Sequence, residues 1–171
     1  MDVVLIGSKV ILKSTTNKLW HGFYKKYVSD PMMDKTQYVY NFERVEKAYH
    51  TKTSDDSRRY FAILHNGEII GDIHLKHMNH EQKTAEFGVA LTDDSVKGKG
   101  FGTEAIALLA DYAFNTLCFK KMTASSVLCN FRSQHVLEKI GFKYTHEDAK
   151  FKYYKLVRHQ PGNIKLMGTA D

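Results

Sequence analysis

At 171 residues, with 43% hydrophobic and 26% charged side chains, the chain is long enough for one domain with a sizeable core, and it contains no hydrophobic stretch long enough to cross a membrane. The net charge of +6 would suit an anionic partner, but the basic residues are scattered, without an arginine-rich tract, zinc-finger spacing or a helix-turn-helix pattern, so nucleic acid is not expected. Met1-Asp2-Val3-Val4 does not open a signal peptide and two cysteines make no disulfide framework, so a cytoplasmic protein is expected, with Cys118 and Cys129 as buried thiols.

In chain order, residues 9–14 predict a strand, and residues 18–27 a helix in which Leu19, Trp20, Phe23 and Tyr27 share a face. Pro31 interrupts, and residues 37–50 predict a second helix with Tyr38, Phe42, Val45 and Tyr49 at helical spacing, followed by a polar linker over 51–57. Residues 60–64 and 68–76 predict a hairpin around Asn66-Gly67, the strongest local turn signal in the chain. Residues 84–91 make the next strand. A glycine-rich loop then leads into an apolar helix over 106–117, and strand 122–128 precedes a short helix capped by Asn130 and closed by Gly141. A final pair of strands is expected at 143–146 and 151–157. Residues 1–158 read as a single domain, and 159–171, with Pro161, Gly162 and Gly168, as a loosely ordered tail. This order of elements predicts an α/β domain with a mixed central sheet.

The most informative segment is the loop Lys97-Gly98-Lys99-Gly100-Phe101-Gly102-Thr103. Glycines spaced two apart let backbone N–H groups approach an anion, and a helix starting there adds its positive dipole end, so a phosphate-bearing ligand is expected. A Walker A loop is excluded because Phe101 follows Gly100 where Lys and Ser/Thr are required, and GxGxxG is missed because the third glycine falls at Gly102. About thirty residues on, Asn130, Ser133, Glu138, Lys139, Gly141 and Phe142 lie on and just after the short capped helix.

These two segments, in this order and spacing, resemble the GNAT superfamily of acyl-CoA-dependent N-acetyltransferases. They are most similar to the branch holding ribosomal-protein N-terminal and spermidine acetyltransferases. The resemblance implies a mostly antiparallel sheet of about seven strands with helices on both faces, in which strands 84–91 and 122–128 splay into a V-shaped cofactor cleft. It further implies acetyl-CoA as co-substrate, with the pyrophosphate on Lys97, Gly98, Lys99, Gly100, Phe101, Gly102 and Thr103, and pantetheine along the backbone of Val89 and Leu91 and near Asn130. The partner would be a small-molecule or peptide amine, with no metal and no membrane, and the protein a monomer or homodimer. A non-catalytic acyl-CoA-binding or sensor domain is the alternative.

For catalysis the resemblance nominates Glu86, facing the cleft and raised in pKa by partial desolvation, as the base; otherwise it pairs with a neighbouring cation or stabilises the bound amine without proton transfer. Ser133 stands where this branch places a hydroxyl near the leaving thiolate, and otherwise serves the first turn of its helix. Leu137 stands where many members carry a tyrosine, so that acid is missing here. Asn130 either meets pantetheine or caps its helix. His74, His77 and His80 lie on a strand and its turn, where a spacing of three does not converge on zinc. The resemblance also puts the acceptor against the first two helices. There Trp20, Phe23, Tyr24, Tyr27, Tyr38, Tyr40 and Tyr49 form either core or a π-rich wall, and Asp30, Asp34, Glu43 and Glu46 either receive an amine or stand in solvent.

Overall fold

Eight strands form one mixed sheet in the computed structural model, which describes residues 2–31, 33–34 and 36–158. The strands are β1 (Val4–Ile6), β2 (Ile11–Ser14), β3 (Arg59–His65), β4 (Glu68–Asn79), β5 (Thr84–Leu91), β6 (Lys121–Val127), β7 (Lys143–Glu147) and β8 (Phe151–Val157), in spatial order β1-β2-β3-β4-β5-β6-β8-β7. All neighbours are antiparallel except β5 and β6. The helices are α1 (Asn17–Lys26), α2 (Phe42–Thr53), α3 (Phe101–Asp111) and α4 (Phe131–Ile140). The tail expected over 159–171 lies outside the described residues.

Alternation along the central strands assigns the two faces. Phe61, Ile63, Ile73, Leu75 and Phe87 point into the main core with Ala105, Ile106 and Leu109 of α3 and Leu137 of α4. The intervening positions of the same strands carry Tyr60, Asp72, His74, Lys76 and Glu86, on the face covered by α1 and α2. The hairpin between β3 and β4 turns at Asn66 (φ 51°) and Gly67 (φ 81°), both left-handed, as the Asn-Gly pair predicts.

The sheet has one strand more than the seven expected. β1 has three residues, too few to show a period, and it returns on β2 through Gly7, whose N–H donates to the Val10 carbonyl at 2.9 Å. The second helix begins at Phe42 instead of residue 37, because the Asn41 Oδ1 accepts the Arg44 N–H at 2.8 Å and starts it there. Tyr38 and Tyr40 therefore sit on the approach to α2. The third helix begins at Phe101, earlier than 106, and beyond Asp111 it passes into a π-helical turn, Tyr112–Thr116. Both cysteines are exposed, against expectation. Cys118 has a left-handed φ of 58° in the turn before β6, and Cys129 lies in the turn after it. Apolar neighbours in sequence do not bury a residue whose backbone forms a surface connection.

The α1–α2 layer holds together through a second apolar cluster of Trp20, Val45 and Tyr60 and through one carboxylate. Glu46 accepts from Asn17 Nδ2 at 2.7 Å, His21 Nε2 at 2.6 Å and His50 Nε2 at 2.9 Å, joining the start of α1 to the middle of α2. The Asn17 hydrogen bond, followed by that of His21, brings its pKa from 4.5 down to about 2. A depressed carboxylate stabilises the fold above its unfolded pKa and ceases to do so as pH falls through the folded value. Glu46→Gln should therefore lower Tm at neutral pH, and the gap to wild type should close as pH falls from 4.5 towards 2. A gap that stays constant over that window would place the effect in packing alone.

Candidate active site

β5 and β6 pair only at Thr84 with Lys121, Ala85 with Met122 and Glu86 with Thr123, and then part. From Gly88 to Leu91, β5 keeps β4 on one side, with Gly88 opposite His74 and Leu91 opposite Gly71, and among the described residues has no strand on the other. Peptide groups on that edge can be met by the amides of an extended ligand. The expected V-shaped opening is thus present, as a cavity of about 210 Å3 whose walls include Gly88, Val89, Ser126, Asn130, Ser133 and Leu137. Val89 lines it, while the Leu91 side chain packs against the main core farther along β5.

Beyond the end of β5 the glycine loop leads directly into α3. Gly98 (φ 74°) and Gly100 (φ 82°) take left-handed backbone that other residues adopt only at a cost, and no side chain caps the start of α3 at Gly100. The first-turn N–H groups of Phe101, Gly102 and Thr103 are thereby presented to an anion. The Phe101 ring is buried and packs on His65 at 4.4 Å between centroids, so this residue anchors the helix start and offers the ligand its backbone only. Lys99 is exposed. Lys97, expected at the pyrophosphate, has its ammonium 2.7 Å from Asp94 Oδ1 and 3.3 Å from Asp30 Oδ2. Partial burial opposes its charge, but the two carboxylates prevail and raise its pKa. Lys97 here ties the loop to the segment after α1. The cation lying over the glycines is Lys9, which donates to the Lys99 carbonyl at 3.3 Å and would stand 3.0 Å from a Cβ placed on Gly100.

Lys9 comes from the β1–β2 turn, and Glu104 holds that turn in place. Its carboxylate accepts from Ser8 N at 3.0 Å, Ser8 Oγ at 2.6 Å, Lys9 N at 2.8 Å and Val10 N at 2.8 Å. Burial would raise its pKa; the four donors outweigh burial and lower it. Neither Lys9 nor this use of Glu104 is visible in a sequence read locally, since the partners are more than ninety residues apart.

On the far wall, Asn130 Oδ1 caps α4 by accepting the Ser133 N–H at 3.0 Å, and its Nδ2 donates to Met33 Sδ at 3.1 Å. The Ser133 hydroxyl lines the cavity and makes no hydrogen bond among the described residues. The buried Gln134, which sequence reasoning passed over, donates to the Val127 and Leu128 carbonyls at 3.1 and 2.9 Å and fixes the turn that carries both residues.

The face of the sheet opposite the main core is polar at the cleft edge. Glu86 receives Lys76 Nζ at 2.9 Å on one oxygen and His77 Nδ1 at 3.0 Å on the other. Burial favours a raised pKa, but these two donors reverse it, so the rise expected for Glu86 becomes a decrease. Two residues from Lys76, His74 Nδ1 donates to Asp72 Oδ1 at 3.0 Å, and the imidazole leans on Tyr60 with centroids 4.6 Å apart. An Asp-x-His spacing puts both side chains on one face of a strand, a signal the sequence does contain. Among the described residues no group of three or more His, Cys, Asp or Glu could hold a metal ion.

Of the groups expected to meet an acceptor, Trp20 and Phe23 are core, and the Trp20 indole donates to the Val45 carbonyl at 3.0 Å. Glu46 is committed to α1–α2 and Asp30 to Lys97. Tyr24 and Tyr27 both pack against Tyr38, whose hydroxyl is buried without a hydrogen-bond partner among the described residues.

The acetyltransferase (GNAT) domain family matches residues 9–143. The spermidine N(1)-acetyltransferase of Escherichia coli K12 is 31% identical over 101 residues, 59% of this chain and 54% of that protein. The putative ribosomal N-acetyltransferase YdaF of Bacillus subtilis is 31% identical over 80 residues, 47% of this chain and 43% of its own. The chain thus spans about half the length of the curated relatives it matches first. Among solved structures, a spermidine N-acetyltransferase chimera from Vibrio cholerae and hSSAT superposes with a TM-score of 0.76 at 20% identity, covering 88% of this chain and 96% of that one, which establishes a shared fold.

The Glu104 clamp generates a direct test. Glu104→Ala strands three backbone donors and a hydroxyl near the surface, so it should cost about 1–2 kcal/mol, read as a lower urea midpoint at constant m. Glu104→Gln, which keeps acceptor oxygen, should recover part of the loss. An unchanged midpoint in the alanine variant would mean that the turn holds without the carboxylate.

Proposed function

We propose that this chain, which belongs to the GNAT acetyltransferase family, moves the acetyl group of acetyl-CoA to a primary amine by direct attack in a ternary complex. The observation carrying the reading is the parting of β5 and β6 with an uncapped glycine-rich helix start beyond it. The pyrophosphate would lie on the N–H groups of residues 98–103, and Lys9 supplies the nearby positive charge. Val89 and Leu91 offer backbone to pantetheine, and Asn130 Nδ2 adds a donor on the opposite wall.

Transfer forms an N–C bond and breaks a C–S bond, so the amine must lose a proton and the thiolate must be stabilised or protonated. We assign the second task to Ser133. Its hydroxyl lines the cavity without a hydrogen-bond partner among the described residues, and Leu137, buried at the position of the missing tyrosine, contributes only apolar wall. Glu86, held ionised by Lys76 and His77, suits attraction of a cationic acceptor better than uptake of its proton. Spermidine, which the name of one relative prints, and a peptide α-amine are both primary amines that the polar face and the tyrosines of α1 and its following segment would accommodate.

A panel of spermidine, N-terminal peptides and aminoglycosides, read by release of the CoA thiol, should show turnover with at least one amine. Binding of acetyl-CoA without turnover of any of them would defeat the proposal. Ser133→Ala should lower kcat by more than it changes KM for acetyl-CoA; the opposite pattern would make Ser133 a binding residue. Gly100→Val should weaken acetyl-CoA binding about tenfold, because the free loop relaxes out of the left-handed conformation and must regain it on binding at roughly 1–2 kcal/mol, with calorimetry as the measurement.

A further inference from the structure

We infer that His74, oriented by Asp72, is the general base that takes the proton from the attacking amine. The inference rests on the acetyl-transfer reading above and adds to it the residue that reading leaves unassigned. Asp72 is buried, with 9% of its surface exposed, and its carboxylate accepts the His74 Nδ1–H at 3.0 Å. A carboxylate that only accepts fixes the tautomer: in the neutral ring the proton sits on Nδ1 and the lone pair on Nε2. Nε2 makes no hydrogen bond among the described residues.

The position of that nitrogen is set by the strand register. His74 lies opposite Gly88 on β5, and a Cβ built on Gly88 would stand 2.7 Å from Nε2. The imidazole therefore occupies the space that a side chain at 88 would fill, directly over the strand segment that borders the cleft. Gly88 and Lys76, its neighbours on the two strands, both line that cavity. The His74 side chain keeps 21% of its surface exposed, so the dyad is supported from behind and open in front.

From His74 a continuous run of rings leads under the α1 side: Tyr60 at 4.6 Å, then Trp20 at 5.2 Å from Tyr60, Tyr24 at 5.1 Å from Trp20, and Tyr38 at 5.8 Å from Tyr24. Trp20 and Tyr60 are buried, so these rings back the imidazole, and an ammonium group would meet Nε2 from the exposed side of the His74 ring. Proton transfer to Nε2 leaves the amine lone pair for the thioester carbonyl carbon, and the resulting imidazolium is balanced by the Asp72 carboxylate. Glu86 is the rival on the same face, and both of its oxygens already hold Lys76 and His77.

The groups facing the dyad are Lys76 on β4, Glu86 on β5, and Tyr60 from β3, whose hydroxyl accepts from Arg58 at 3.3 Å. From α1, Tyr24 has its pKa raised by burial and then by the Asp72 charge, and α2 places Tyr49 and Lys52 behind Trp20. A base must be unprotonated, so the profile of kcat against pH should carry an acid limb.

The test uses the whole chain with saturating acetyl-CoA and spermidine, or whichever panel amine turns over. His74→Gln should lower kcat by roughly 100-fold or more and remove the acid limb of its pH profile, while acetyl-CoA binding by calorimetry stays unchanged. Asp72→Asn should lower the plateau of kcat, because the ring loses the carboxylate that fixes its tautomer. In the wild type, the NMR titration midpoint of the His74 Cε1–H should coincide with the limb, which covers the case in which a variant does not fold. An acid limb that persists in His74→Gln, or a His74 midpoint away from the limb, overturns the base assignment and leaves the acetyltransferase reading intact. Wild-type protein that binds acetyl-CoA but acetylates no amine overturns both.

Discussion

The site depends on a pairing that stops early. β6 is matched to β8 from Lys121 to Val127, but to β5 only as far as Thr123. With its full length committed to β8, β6 follows that neighbour away from β5, and the sheet opens where the backbone of Gly88 to Leu91 has one bonded edge and one bare edge. Bare backbone inside a domain is costly unless water or a ligand meets it. The wedge therefore belongs to the pairing pattern itself, and loops and side chains only furnish its walls.

Furnishing divides by face. On one side α3 and α4 seal the core and present a helix N-terminus and the Ser133 hydroxyl. On the other, the alternate positions of β3, β4 and β5 supply charged and aromatic groups beneath α1 and α2. A ligand drawn to phosphate donors and one drawn to rings and carboxylates would approach from different sides and meet where the strands part. The charges are economical. Lys97 is neutralised by Asp94 and Asp30, leaving Lys9 as the cation over the glycines.

Signals confined to a few residues were legible in the sequence. Asn66-Gly67 made its turn, Thr84–Leu91 its strand, and Asn130 and Gly141 bounded their helix, because each depends on local backbone preference. The glycine loop could be placed for the same reason. What sequence left dark came from partners far apart in the chain. The ion pair of Lys97 with Asp30 joins residues 67 positions apart, and Glu86 reads as a group whose pKa would rise until the β4–β5 register sets Lys76 opposite. The exposed cysteines failed for a related reason: apolar neighbours along the chain do not report where a turn meets solvent. Asp72 and His74 were on one strand face all along, but only the absence of a side chain at Gly88 gives the ring its place.

The Glu104 clamp also bears on the order in which the molecule is assembled. Its partners Ser8, Lys9 and Val10 precede it by 94 to 96 positions, so that contact closes a loop that holds most of the chain up to α3. Contacts of such separation carry a large loop-closure entropy and form after the local hairpins and helices that shorten the effective loop. The sheet that makes the wedge is built largely from neighbours in sequence, whereas the cation-bearing rim of the anion cradle waits for the two ends of this long loop to meet. In a partly folded chain in which Glu104 has not met Ser8, Lys9 and Val10, Lys9 would not lie over Gly100.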